Sequence, residues 1–230
     1  MKICSRTPKI LGLLLTYPDT GMVDACEHME ALLREERWVS NAILLELEKL
    51  FCSFRQTDLL DLQETYVDLF DRTPSLALYL FEHVHGDSCD RGKALVDLDG
   101  LYREAGLYNN SEHTPDYLPL FLEYLSMLPP DKAREELSGA INIIAVVEER
   151  LKNRKSVYAN VFSALKNIAA RRPNIVIVKK ALEKDSGRPM TPTEIDEAWV
   201  EQFPFADREN KGPQGCPGTA EILKNTETQS

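Results

Sequence analysis

From Ile10 to Ile168 apolar residues return every third or fourth position, and most runs are opened by a capping residue or a proline and closed by glycine, proline or a polar cluster. That period is helical, and it leaves little chain for strands. Thr7-Pro8 precedes an apolar face of Ile10, Leu11, Leu14 and Leu15. Met22, Ala25, Cys26, Met29, Leu32 and Leu33 form a second face, and Ile43, Leu44, Leu47, Leu50, Phe51 and Phe54 a third. Thr57-Asp58 caps a helix over Leu59, Leu62, Tyr66, Leu69 and Phe70, which Asp71 to Pro74 breaks. Beyond the break, Leu76, Leu80, Phe81 and Val84 predict a further helix running to Gly86. Asp87-Ser88 then caps a helix that carries Ala94, Leu95, Leu98, Leu101, Tyr102 and Ala105 to Gly106. Pro115-Asp116 opens the next. Asp131 begins a long one over Leu137, Ile141, Ile144, Ala145, Val147 and Leu151, and Ser156 one through Tyr158, Phe162, Leu165 and Ile168.

The expected fold is therefore all-α, a single bundle of roughly eight to ten helices. Its boundaries are set at residues 1–172, with a C-terminal extension over 173–230 that is flexible beyond about residue 203 because it has little to bury. Within the extension, Ile175 to Val178 is β-branched but isolated and is left unassigned, while Thr193 to Val200 reads as a short helix. No apolar run approaches the about 20 residues of a membrane span. Lys2, Arg6 and Lys9 precede a short apolar patch with no small-residue cleavage site after it. The five cysteines, at 4, 26, 52, 89 and 216, show no Cys-x-x-Cys spacing. Free thiols and a cytoplasmic location are expected.

Charge narrows the partner class. The net charge is −10, and residues 58–123 alone contain 14 acidic against four basic side chains, so the acidity is local to that segment. With no basic stripe, nucleic acid and anionic membrane are poor partners, and a basic partner is favoured.

Within that segment, His83, His85, Asp87 and Cys89 alternate and would share one face of a strand as metal ligands. A helix end with Gly86 in its middle splays them apart, so no metal is expected. A metal-dependent hydrolase using His83, His85 and Asp87 is the competing enzymatic reading. Glu82, Asp87, Asp116 and Glu123 offer carboxylate pairs for acid-base work, but among 37 acidic residues such pairs arise by chance. No nucleophile elbow, P-loop or Gly-x-Gly-x-x-Gly is present, and the chain is read as a non-enzyme. Tyr66, Phe70, Phe81, Tyr117, Phe121 and Tyr124 suit a core or the wall of a partner groove, and Arg72 and Arg91 suit pairing with nearby carboxylates. An acidic helical adaptor for an unrelated partner is the third reading.

Three blocks carry a resemblance. Tyr66-Val-Asp-Leu-Phe-Asp-Arg-Thr-Pro-Ser-Leu76, Leu80-Phe-Glu-His-Val-His-Gly86 with Asp90-Arg-Gly92, and Pro115-Asp-Tyr-Leu-Pro-Leu-Phe-Leu-Glu123 closely resemble the NarJ-type chaperones, also called the nitrate reductase delta subunit, which belong with the TorD- and DmsD-like redox-enzyme maturation chaperones. The resemblance implies an all-helical cytoplasmic chaperone that binds the basic N-terminal peptide of the apo catalytic subunit of respiratory nitrate reductase. Such a protein supports molybdenum cofactor and iron-sulfur insertion and delays membrane docking. It holds no cofactor stably, the molybdenum cofactor being handled by the partner enzyme. The family's Pro-Asp-aromatic hinge falls on Pro115, Asp116 and Tyr117. The matching blocks add Tyr66, Phe70, Asp71, Arg72, Glu82, His83, His85, Gly86, Arg91, Leu118 and Glu123 as candidate peptide-binding residues. His113-Thr114 stands where the family usually has Glu-Leu, and Cys89 where a charged residue is common.

Overall fold

A helix with one apolar stripe is stable only when that stripe is covered, and this chain solves the problem helix on helix. The computed structural model describes residues 5–83 and 89–183; the expected cap at Asp87-Ser88, the helix at 193–200 and the tail lie outside the described residues. In order, the helices are α1 (Thr7–Leu13), α2 (Thr20–Glu36), α3 (Asn41–Gln56), α4 (Leu59–Tyr66), α5 (Cys89–Glu104), α6 (Leu118–Ser126), α7 (Pro130–Gly139), α8 (Ile141–Asn153), α9 (Ala159–Ile168) and α10 (Ile175–Glu183). An isolated antiparallel bridge, Tyr79 with Tyr117, is the extent of β pairing among the described residues.

The stripes expected to be apolar meet in one core. Leu11, Leu14, Leu15, Leu47, Leu50, Phe51, Phe162 and Leu165 are all but inaccessible to solvent. The N-terminal helix α1 sits against α6. A Cβ added at Gly12 would stand 3.1 Å from the Pro119 carbonyl oxygen and 3.2 Å from Leu122 Cβ, so glycine sets how near the two backbones come. The entry to α1 is held from a distance by Glu36, the last residue of α2. Its carboxylate accepts from the Ser5 hydroxyl at 2.6 Å, from the Arg6 and Thr7 amides at 2.8 Å each, and from the Thr7 hydroxyl at 2.8 Å. A remote carboxylate thus does the work of a local cap, satisfying amides that the first turn leaves open.

Several boundaries differ from the sequence expectation. Asp58 caps α4 as expected, its side chain accepting from the Leu60 amide at 2.9 Å. The helix does not stop at Phe70 as a regular one, however, but widens into a π-helical turn over Val67–Asp71. The long helix expected from Asp131 is two, divided at Gly139-Ala140, where a glycine weakens helix continuation. Ile175 to Val178, left unassigned from sequence, begins α10. The Asn174 side chain accepts from the Val176 amide at 2.9 Å, and α10 lies against α8. No helix among the described residues is long and apolar enough to cross a membrane.

A carboxylate is buried between α8 and α9. Glu148 on α8 is 2% exposed and accepts from Lys152 Nζ at 2.7 Å, from Ser163 Oγ at 2.6 Å and from Lys166 Nζ. Burial pushes its carboxyl up, but the lysine and serine hydrogen bonds prevail and hold it below the ordinary value. At Glu36, too, burial is outweighed by the four hydrogen bonds, and the carboxyl is lowered. A carboxyl with a depressed folded pKa adds stability above its unfolded value of about 4.3 and loses it as pH falls through the folded one. Acid unfolding should therefore steepen below about pH 4.5. Glu148→Ala, which strands two partly exposed lysines and a serine hydroxyl between α8 and α9, should cost about 1–3 kcal/mol by urea denaturation at pH 7 and flatten that acid limb. An unchanged midpoint would show that the buried charge does not hold the two helices together.

Candidate partner-binding site

The sequence predicts an α-helix from Ser75 to Gly86, and over its described part, to His83, the structure corrects this. Two short 3-10 turns, Pro74–Leu76 and Leu80–His83, flank an extended piece around Tyr79. Backbone groups outside a helix need other partners, and the turn before α6 supplies them. The Leu118 amide donates to the Leu78 carbonyl at 2.8 Å, and the Leu80 amide to the Asp116 carbonyl at 3.0 Å. The Asp116 side chain, wholly buried, accepts from the Phe81 amide at 3.0 Å and from Thr114 Oγ1 at 2.5 Å. Two arginines of the α8 end hold the other side. Arg150 donates to the Ser75 carbonyl at 2.7 Å, and Arg154 to the buried Thr73 hydroxyl at 3.2 Å. The helix expected to open at Pro115-Asp116 begins instead at Leu118, because Asp116 and Tyr117 are occupied in this crossing.

Aromatic rings gather beside the crossing. Tyr66 donates its hydroxyl to the Leu15 carbonyl at 3.0 Å and stands 3.4 Å from the Tyr117 hydroxyl. His113 stacks on Tyr117 with ring centroids 3.9 Å apart, and its Nδ1 is 2.7 Å from the Tyr79 hydroxyl. Phe70 and Tyr158 close the inner side, edge to face at 5.1 Å. Burial pushes the Tyr66 and Tyr117 phenols up, so both remain neutral hydrogen-bonding groups. Desolvation also raises the Asp71 carboxyl, against the opposing charge of His113.

Two clefts border the crossing. One, about 160 Å³, lies between α1 and the start of α6 and is lined by Lys9, Leu13, Thr16, His113, Tyr117 and Leu120 among others. The other, about 670 Å³, lies between the Pro74–His83 segment, α8 and α10, and is lined by Glu82, His83, Asn142, Ile143, Val146 and Ile177 among others.

The sequence-predicted residues divide accordingly. Tyr66, Phe70, Asp116, Tyr117 and Leu118 are buried and build the crossing, so they present little surface to a partner. Asp71, Arg72 and Glu82 are exposed, with Arg72 paired to Asp68 at 2.8 Å. Glu82 lies 3.5 Å from Arg91, and Glu123 lies 2.7 Å from Lys9 at the rim of the smaller cleft. Pro115 is half-buried, its carbonyl accepting from the buried Tyr102 hydroxyl at 2.7 Å. His83 Nε2 is 2.8 Å from the Ala77 carbonyl. His85, Gly86 and Asp87 lie outside the described residues, and among the described residues no group of three or more His, Cys, Asp or Glu is placed to hold a metal ion. Sequence reasoning missed Tyr79, Leu13 and the α8 positions Asn142 and Val146. For Val146 a signal existed, an apolar residue on a face otherwise polar at Asn142 and Arg150.

These features define an all-helical protein in which an extended segment around Tyr79 is pinned between two clefts. The architecture is shared with a crystal structure described as a redox enzyme maturation protein from Archaeoglobus fulgidus, at a TM-score of 0.51 and 24% identity over 69% of this chain and 88% of that one. Residues 39–164 match the family model for the nitrate reductase delta subunit, and the chain belongs to that family. It is similar to the Escherichia coli nitrate reductase molybdenum cofactor assembly chaperone NarJ, 38% identical over 92% of this chain and 87% of the relative. It is also similar to the probable assembly chaperone NarW of the same organism, 37% identical over 84% and 80%. The NarJ-like chain of Bacillus subtilis is 28% identical over 70% and 89%.

Asp116→Ala leaves the Phe81 amide and the Thr114 hydroxyl without their acceptor and should cost about 1–3 kcal/mol in urea unfolding. Asp116→Asn keeps one carbonyl oxygen there and should recover most of that loss. Equal stability of the alanine variant and the native protein would show that the crossing holds without its carboxylate.

Proposed function

We propose that this protein is an assembly chaperone for respiratory nitrate reductase. It holds the apo catalytic subunit by that subunit's basic N-terminal peptide while the molybdenum cofactor and an iron-sulfur cluster are inserted, and it delays docking at the membrane. Membership of the delta subunit family, with 38% identity to NarJ over most of both chains, carries the reading. The surface supports it. Apolar side chains lie at the clefts, Leu13 being 41% exposed in the smaller, and Ile143 and Val146 lining the larger. Acidic Asp71, Glu82 and Glu123 stand on the surface around the crossing. A basic amphipathic helix fits such a surface, its apolar side giving affinity and its charge guiding the encounter. In this reading the buried residues Asp116, Tyr117 and Leu118 shape the site, the rim residues meet the peptide, and none is catalytic.

A triple charge reversal, Asp71→Lys, Glu82→Lys and Glu123→Lys, should slow association with a synthetic peptide covering the catalytic subunit's N-terminal segment. In stopped flow the loss should be about tenfold at low salt and should shrink as added salt cuts the screening length to about 3–10 Å. Identical association rates at low salt would remove these carboxylates from the encounter. Failure of the native protein to bind the peptide by calorimetry would sink the chaperone reading.

A further inference from the structure

The last helix among the described residues, α10, is held unlike the others. None of its residues is buried, and Ile175, Val176 and Ile177 are 68%, 74% and 49% exposed. Clefts lie on both sides of it. Ile177 and Ala181 line the larger cleft beside the crossing, while Ile175 lines another of similar size against α9. α10 lies against α8, where Asn142, Val146 and Arg150, spaced four apart and therefore stacked on one face, form a stripe beside it. Val146 is buried although it lies outside the contiguous core, and it shares the larger cleft with Ile177 and Ala181.

The polar ends of that stripe touch main chain. Asn142 Oδ1 accepts from the Asn174 amide at 2.7 Å, at the start of α10. Arg150 Nη2 reaches the Ala181 carbonyl oxygen, in the last turn, at the long distance of 3.5 Å. Every helix offers open amides at its beginning and open carbonyls at its end, and an arginine suits the negative end of the dipole. The stripe therefore recognises a helix of about two turns by its ends and its apolar flank, not by the identity of its side chains. The present occupant is itself a basic amphipathic segment, Ile175-Val-Ile-Val-Lys-Lys-Ala-Leu-Glu183.

Resting on the chaperone reading above, we propose that the Asn142-Val146-Arg150 stripe is a docking strip for the partner's basic amphipathic helix. In this scheme α10 is its resident occupant, displaced when the partner binds. The argument for the occupant is the chemistry of the segment now seated there, which is of the basic amphipathic kind that the proposed function gives the peptide. Because α10 and the peptide compete for one strip, the measured affinity is the intrinsic one reduced by the fraction of molecules in which the strip is open.

Two measurements on the full chain test this with the synthetic N-terminal peptide of the catalytic subunit. Ile177→Asp changes a half-exposed residue and weakens the seat of α10 without entering the core. It should lower the peptide's Kd by about three- to tenfold in calorimetry, as expected when the open fraction rises. In the native protein, adding the peptide should speed hydrogen exchange of the amides of residues 175–183, whereas a peptide bound elsewhere leaves them unchanged or slower. Tighter binding by the variant together with faster exchange supports the proposal. Binding by the native protein with no gain in the variant, or with no acceleration in α10, overturns it and leaves the chaperone reading standing. Binding by neither form overturns both.

Discussion

An extended segment inside a helical protein must find every backbone partner from a distance, and here the buried Asp116 makes that possible. Its carbonyl and its carboxylate receive the Leu80 and Phe81 amides, so one residue anchors two consecutive donors of the segment from the turn that starts α6. Around this point the rest is arranged. Leu78 receives the Leu118 amide, Tyr79 faces Tyr117, and the α8 arginines take the far side through Ser75 and Thr73. Without the pin, segment and turn would have to seek water, and both clefts lose a wall.

The helices were legible because amphipathic periodicity and prolines survive in any fold built this way. Asp58 caps where it should, and the stripes over Leu11 to Leu15, Leu44 to Phe54 and Val161 to Ile168 face inward as their spacing requires. The segment after Pro74 misled because Leu76 and Leu80 are four apart, which suits a helix. Leu78 was the overlooked clue, since it is buried along with Leu76 and Leu80, and 76, 78 and 80 do not share one face of a helix. Ile175 to Val178 gave no assignment from sequence. Its β-branched side chains suggest a strand, but Asn174 caps it and α8 offers a flank, and tertiary context outweighs so weak a preference.

The candidate site was legible as a region more than as a set of contacts. The sequence located acidity and aromatics between residues 58 and 123, and the structure separates what that segment does. Tyr66, Phe70, Asp116 and Tyr117 are buried, while Asp71, Arg72 and Glu82 are at the surface. Sequence distance hid the rest of the walls: α1 contributes Lys9 and Leu13 to one cleft, and α8 and α10 supply most of the other. No motif spans such separations. Burial and charge thus divide the labour in the proposed function, an interior carboxylate holding shape and exterior ones setting the field a partner would approach.

The π-helical turn at Val67–Asp71 makes chain length there a matter of geometry. Such a turn accommodates one residue more than an α-helical turn would, and dropping a residue from a helix rotates everything after it by about 100°. Phe70, now tilted against Tyr66 at 5.0 Å and edge-on to Tyr158, would be swung away from both. Divergent relatives should consequently tolerate substitutions along this turn far better than gaps, and an alignment that opens one between Val67 and Asp71 has misplaced the ring that closes the aromatic cluster.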